Sequence, residues 1–155
     1  MSPLTPEEVQ AALRKLPVID HHDEVVEQVG DGQLRMRLPF RREYMGRDVW
    51  QQSGGYVYSG PMVLGFADTA MYACIVGTFG GNVLGIIQTM TMNFLRPAKE
   101  ADLIAEVRIV RRGKRSIYLE TFLSSDGDAE PVAHVTATAV IRQIVEVGKT
   151  RGTLD

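Results

Sequence analysis

The chain has 155 residues, of which 45% are hydrophobic and 23% charged, and its net charge is −2. This length fits one domain with its own core, and the composition excludes a mainly disordered chain. The near balance of 17 basic and 19 acidic residues gives no general attraction to nucleic acid. The single cysteine, Cys74, excludes an internal disulfide. The N-terminus lacks a basic start followed by an apolar run, so we expect a cytoplasmic protein.

The first predicted element is an N-terminal helix. Thr5 fits its N-cap, Pro6 its first helical position, and Glu8 completes a capping box. Pro17 ends the helix, and residues 1–22 form a helical extension ahead of the main domain. Three apolar residues at helical spacing predict a stripe that docks on that domain: Val9, Leu13 and Leu16.

Two strands are predicted next, over residues 23–29 and 33–40, because apolar and polar residues alternate clearly in the second. Gly30-Asp31-Gly32 is typical of a hairpin turn between them. Residues 41–55 are predicted to form a loop.

A long helix is predicted from Pro61 to about Phe79, with Ser59 at its N-cap. It is apolar on nearly all sides, which is typical of a helix buried inside a soluble domain. Its length also allows a transmembrane interpretation. The charge of Asp68 and the break at Gly80-Gly81-Asn82 argue against that, so we expect no membrane contact.

The remaining chain predicts strands only, and we expect them to form a meander. They cover residues 86–95, 102–111, 117–123 and 132–144. The predicted fold is α+β, an antiparallel sheet of five to six strands wrapped around one buried helix. It spans residues 23–147, and residues 148–155 form a frayed tail. Several strands carry a second face of Thr, Tyr and Val, which predicts packing against another subunit.

Asp68 is the most unusual residue, because it is the lone charge on the predicted buried helix. Burial would raise the pKa of its carboxyl group, which makes Asp68 a candidate catalytic residue. Alternatively, Asp68 accepts hydrogen bonds from Tyr72 or from a backbone turn and only fixes the helix.

Gly60 opens the same helix, and its N–H together with the helix dipole could hold an oxyanion. The alternative is an ordinary helix start. The turn Arg111–Arg115 carries four cations around Gly113, which could bind phosphates. The alternative is a solvated turn, and the same holds for Arg96 and for Arg41-Arg42.

We predict no metal and no cofactor. Adjacent residues such as His21 and His22 point apart, and no third cluster of ligands joins them and Asp23. His134 is interpreted as a packed or exposed side chain of a strand, and Cys74 as a core residue.

The segment 59–73 resembles the central helix of hot-dog thioesterases of the phenylacetate-pathway type. That motif reads His-Gly-Gly, six residues, then Asp-Thr-Ala. Residues 92–98 resemble the strand that follows the helix in this family, and residues 110–115 resemble its next hairpin. The resemblance covers residues 23–144.

The resemblance implies a hot-dog fold, homodimers that pair their sheets, and often tetramers formed as dimers of dimers. It also implies hydrolysis of an acyl-CoA thioester at a site shared across the dimer. Asp68 matches the family's carboxylate, which would act as nucleophile or general base. Gly60 matches the oxyanion donor and would come from the other subunit.

The chain departs from the family pattern at three positions. Ser59 replaces the motif histidine, and Ser53 replaces an upstream asparagine; either serine could serve as a polar helper. Ile87 stands where the family has a serine or threonine, although Thr89 is close by.

We therefore expect an acyl-CoA thioesterase acting on a small or medium acyl or aryl thioester. Substrate contacts are predicted at Thr89, Arg96, Arg111, Lys114 and Arg115. One alternative is a non-catalytic hot-dog module that binds acyl-CoA or a small apolar ligand. A hot-dog dehydratase or hydratase ranks lower, because it needs a histidine paired with a carboxylate and the helix region contains no histidine.

Overall fold

The computed structural model describes residues 2–16, 23–47 and 55–144. The helices are α1 (Pro6–Leu13) and α2 (Gly60–Phe79), with a short 3-10 helix at Arg42–Tyr44. The strands are β1 (Val25–Gly30), β2 (Gln33–Leu38), β3 (Met45–Arg47), β4 (Tyr56–Tyr58), β5 (Val83–Phe94), β6 (Leu103–Arg112), β7 (Ser116–Ser125) and β8 (Pro131–Gln143).

Helix α1 begins with the predicted capping box. The Glu8 N–H donates to Thr5 Oγ1 at 3.3 Å, and the Thr5 N–H donates to Glu8 Oε2 at 2.7 Å. Val9 and Leu13 are buried, so the predicted stripe docks on the domain. The Leu4 N–H donates to the Gly77 carbonyl of α2 at 2.8 Å, which ties the start of the chain to the core helix.

Gly77 is the residue that lets α1 and β1 approach α2. A Cβ atom added at Gly77 would lie 2.8 Å from Val29 Cγ1 and 3.3 Å from Val9 Cγ2. The absent side chain is therefore what allows both valines to pack on this turn of the helix.

Six antiparallel strands form one sheet in the order β1-β2-β6-β7-β8-β5. This confirms the predicted α+β hot-dog architecture, with the sheet curled around α2. The predicted meander is wrong, because β5 pairs with β8 and not with β6. The β1–β2 hairpin occupies the free edge of β6, so β5 reaches the sheet on the far side of β8.

The predicted loop 41–55 contains a 3-10 helix and strand β3 in its described part, and β4 follows it at Tyr56–Tyr58. Strands β3 and β4 pair as a small separate sheet, and the Ser59 N–H donates to the Tyr44 carbonyl at 2.9 Å. Tyr58 is buried and its hydroxyl donates to the Ala101 carbonyl at 2.8 Å. Burial raises the pKa of this hydroxyl. Each strand spans three residues, which is too short for an alternating pattern to be recognised.

Helix α2 supplies the centre of the core. Phe66, Ala67, Ala70, Met71 and Cys74 are fully buried. Burial raises the pKa of the Cys74 thiol to about 12, which agrees with its predicted role as a core residue. By length and apolar composition α2 could cross a membrane, yet 61% of its most apolar window is buried inside the protein.

The outer face of the sheet carries ion pairs over some strands and exposed apolar side chains over others. Over β1, β2 and β6 it carries ion pairs, such as Arg35 with Glu27 at 2.9 Å and Arg37 with Asp102 at 3.0 Å. Over β5, β7 and the last residues of β6 it exposes large apolar side chains: Leu84, Ile86, Val110, Tyr118 and Phe122.

Candidate active site

A groove runs between α2 and the edge strand β5, and it consists of two adjoining cavities. Gly65, Asp68 and Ile87 line both of them. The N-terminal half, of about 480 Å³, is further lined by Pro61, Leu64, Gln88, Thr89 and Met90. The C-terminal half, of about 380 Å³, is further lined by Leu16, Thr69, Tyr72, Gly85 and Ile86. Both volumes lie in the range of small-molecule sites.

Asp68 lies at the junction of the two halves, and its side chain is exposed in the single chain. The prediction of a buried carboxylate is therefore wrong for the isolated chain. Pro61, Leu64, Gly65 and Asp68 follow one another at helical spacing and form an exposed stripe on α2. Three of these four residues are not polar, so the sequence alone did not mark this stripe as exposed.

Gly60 is the first residue of α2, as predicted. Its N–H has no acceptor among the residues that the structure describes, whereas the N–H groups of Met62 and Val63 donate to the Ser59 carbonyl. Pro61 has no N–H. Gly60 thus offers the first unpaired donor at the positive end of the helix.

Gly60 and Asp68 of one chain are too far apart to act on one carbonyl group. They are separated by eight residues of the same helix, which at 1.5 Å per residue is about 12 Å. A reaction that uses both residues needs Gly60 from a second copy of the chain.

Gln88 is a groove residue that the sequence analysis did not find. The pairing of β5 with β8 shifts between Ile87 and Thr89, so Gln88 has no partner residue on β8. Such a β-bulge re-aims side chains and is common beside active sites. Gln88 lines the same cavity as Asp68, and so does the predicted residue Thr89. The only signal in the sequence was the loss of strict alternation over residues 86–89.

The two predicted serine helpers have different outcomes. Ser59 occupies the N-cap of α2, but its side chain makes no capping hydrogen bond. Ser53 lies outside the described residues, so its prediction stays untested.

The predicted substrate-binding cations occupy two ends of the molecule. Arg96 forms an ion pair with Glu130 just beyond the end of β5. Arg111, Lys114 and Arg115 lie in the exposed β6–β7 hairpin and have no carboxylate partner within the described part of the chain. Their neighbour Arg112 instead binds Asp31 Oδ1 at 2.5 Å.

No group of three or more His, Cys, Asp or Glu residues that could hold a metal ion occurs among the described residues. His21 and His22 lie outside them, and Asp23 forms an ion pair with Arg41. His134 Nε2 contacts Glu120 Oε1 at 2.8 Å, and its ring lies 4.6 Å from that of Phe122. His134 is thus packed on the outer face of the sheet, as predicted.

Comparison with known proteins agrees with this architecture. The model of the family described as the thioesterase superfamily matches residues 54–132, about half of the chain. No curated protein matches the chain significantly.

Among solved structures, a thioesterase of Haemophilus influenzae superposes with a TM-score of 0.76 at 13% identity, covering 94% of this chain and 95% of that one. A candidate thioesterase of Silicibacter sp. TM1040 superposes with a TM-score of 0.75 at 22% identity, covering 92% and 94%. A thioesterase family protein of Silicibacter pomeroyi superposes with a TM-score of 0.72 at 17% identity, covering 88% and 97%. At these identities the likeness concerns the fold.

Proposed function

This chain belongs to the thioesterase superfamily, and on that premise we propose that it hydrolyses an acyl-CoA thioester in the α2–β5 groove. The acyl or aryl group would be small or medium in size. The products are a carboxylic acid and free CoA.

The position of Asp68 carries this proposal. It is the one charged side chain of α2, and it lies exposed in a groove with largely apolar walls. As a general base, its carboxylate would take a proton from a water molecule while the water oxygen attacks the thioester carbon. As a nucleophile, it would form an acyl-Asp anhydride that water then hydrolyses. Both routes expel the thiolate of CoA.

The tetrahedral oxyanion needs a hydrogen-bond donor close to Asp68. Gly60 of the same chain is about 12 Å away along the helix. We therefore assign this role to Gly60 of a second copy, where the helix dipole adds to the donor strength of the N–H.

A homodimer would form through β5. The opposite edge strand, β1, is covered because Gln10 of α1 donates to the Glu24 carbonyl and accepts the Val26 N–H. Strand β5 has 12 residues and, within the described parts of the chain, pairs on one side only. A long open edge of this kind favours pairing with another strand. The exposed apolar side chains on the outer face, such as Ile86 and Tyr118, would let two dimers associate into a tetramer.

The phosphates of CoA would bind the unpaired cations Arg111, Lys114 and Arg115. Thr89 would contact the substrate inside the groove. Arg96 would contact it only by exchanging its partner Glu130.

The direct test is the release of free CoA from short, long and aryl acyl-CoAs by the wild type and by Asp68→Asn. We expect the variant to stay folded and to lose activity by about 100-fold or more, because it keeps the shape of the side chain without its basicity. Glu43→Gln is the matched control, since Glu43 is an exposed carboxylate outside the groove. Unchanged turnover in Asp68→Asn would refute the assigned role.

A non-catalytic acyl-CoA binding module is the second candidate. Ser59 favours it, because a serine without a capping bond stands where the family motif has a histidine. Tight binding of acyl-CoA by a folded wild type that releases no CoA would select this function.

A further inference from the structure

A group of cations without a partner lies at the β6–β7 hairpin end of the sheet. Arg111, Lys114, Arg115 and Arg142 are exposed and have no ion pair among the described residues. This basic end lies beside the C-terminal half of the groove. Arg142 pairs with Leu84 and lies on the outer face of the sheet, whereas Arg115 lies opposite Ile141, the pairing partner of Gly85 in the cavity lining.

The path from the groove to the hairpin is short. Gly85 pairs with Ile141 of β8, and the Ile141 N–H donates to the Arg115 carbonyl at 3.0 Å. Since neighbouring strands lie about 4.8 Å apart, the Arg115 backbone is roughly 10 Å from β5. This places the cations within reach of the far end of a long ligand whose other end lies near Asp68.

At the opposite end of the groove, cations are paired with carboxylates. Arg96 binds Glu130, Lys99 Nζ lies 3.6 Å from Asp128, and Arg42 lies 3.8 Å from Glu100. The N-terminal half itself has apolar walls, formed by Pro61, Leu64 and Met90. This end therefore suits an uncharged acyl group and not a phosphate.

Resting on the proposed function, we infer that the groove binds the thioester in one direction. The acyl group occupies the N-terminal half, against Leu64 and Met90. The pantetheine arm leaves through the C-terminal half, between Tyr72 and Leu16, toward the basic end. Leu16 belongs to the N-terminal segment outside the matched family region, so this segment forms part of the substrate site.

Tyr72 suits the pantetheine arm. Its ring is half-buried, and its hydroxyl has no hydrogen-bond partner among the described residues. This hydroxyl can donate to an amide carbonyl of pantetheine, which a purely apolar wall could not do.

Two sets of variants test the acyl half of the groove and its basic end separately. Leu64→Trp fills the acyl half and Leu64→Ala widens it, at a residue that is 41% exposed in the single chain. The variant Arg115→Gln removes charge at the basic end. Lys99→Gln is the matched control for loss of a cation at the opposite end. The readout is kcat/KM over a series of acyl lengths, on CoA thioesters and on phosphate-free N-acetylcysteamine thioesters.

We expect Leu64→Trp to lose activity increasingly with acyl length and Leu64→Ala to shift preference to longer chains. The arginine variant should lose about tenfold or more on every CoA thioester, equally at all lengths, and nothing on phosphate-free substrates. Lys99→Gln should match the wild type.

A loss independent of acyl length in Leu64→Trp would overturn the inferred direction. So would unchanged CoA activity, or a loss on phosphate-free substrates, in the arginine variant. If the wild type hydrolyses no thioester, the proposed function fails on its own. Calorimetric binding of non-hydrolysable acyl-CoA thioethers to the same variants then tests the direction separately.

Discussion

The side-chain amide of Gln10 accepts the backbone N–H of Val26 at 2.8 Å and so joins helix α1 to the first strand. The same amide donates to the Glu24 carbonyl at 2.8 Å. One side chain thus satisfies a donor and an acceptor on the outer edge of the sheet. The N-terminal helix closes this edge against strand addition.

Gln10→Ala should lower the free energy of unfolding by about 1–3 kcal/mol, because two backbone groups of a partly buried edge lose their partners. Urea unfolding measures this change. Gln28→Ala is the matched control, because Gln28 is an exposed residue of β1. Equal stability of the two variants would show that the Gln10 contacts contribute nothing.

Gln88→Ala should reduce kcat/KM for the best thioester substrate by about tenfold, the value of one lost hydrogen bond to the reacting groups. Stability should change little, because Gln88 is exposed and unpaired on the bulge of β5. Gln143→Ala, an exposed residue of the adjacent strand β8, is the control. Identical kinetics for the two variants would show that Gln88 does not contribute to the reaction.

Pairing of two β5 edges should be visible in solution. Sedimentation should give at least twice the chain mass of 17.2 kDa. Hydrogen exchange should be slow along the whole of β5, because N–H groups on its open edge would be bonded to the second copy. A monomer with fast exchange at alternate β5 residues would contradict the dimer.

Acid should destabilise the fold through Glu27 and Glu120. Hydrogen bonds from Arg37 lower the pKa of Glu27 against the opposing effect of burial, and those from His134 and Arg108 lower the pKa of Glu120. The unfolded chain takes up these protons more readily than the folded chain. The stabilisation is thus present above the ordinary pKa of 4.5 and is lost as pH falls through the lowered values.

Urea unfolding from about pH 6 down to about pH 3 tests this dependence. The double variant Glu27→Gln with Glu120→Gln should show a smaller fall in stability than the wild type. Parallel curves would mean that these carboxylates do not cause the acid sensitivity.

Elements with strong local signals were predictable from the sequence. The capping box of Thr5 and Glu8, the turn at Gly30-Asp31-Gly32 and the apolar helix before Gly80 all depend on neighbours in the chain. Asp68 and Gly60 could also be predicted as candidate residues, because a lone charge and a helix start can be recognised without knowing the fold.

Long-range relationships were not predictable in this way. The sequence alone determined that this is one α+β domain with an apolar central helix carrying a single carboxylate. Only the tertiary structure decided that β5 pairs with β8, that Asp68 is exposed beside Gln88, and that Leu16 reaches the same groove. The physical reason is that strand order and exposure depend on which edges and faces remain free once the whole sheet has closed around α2, and residues far apart in the chain set that outcome together.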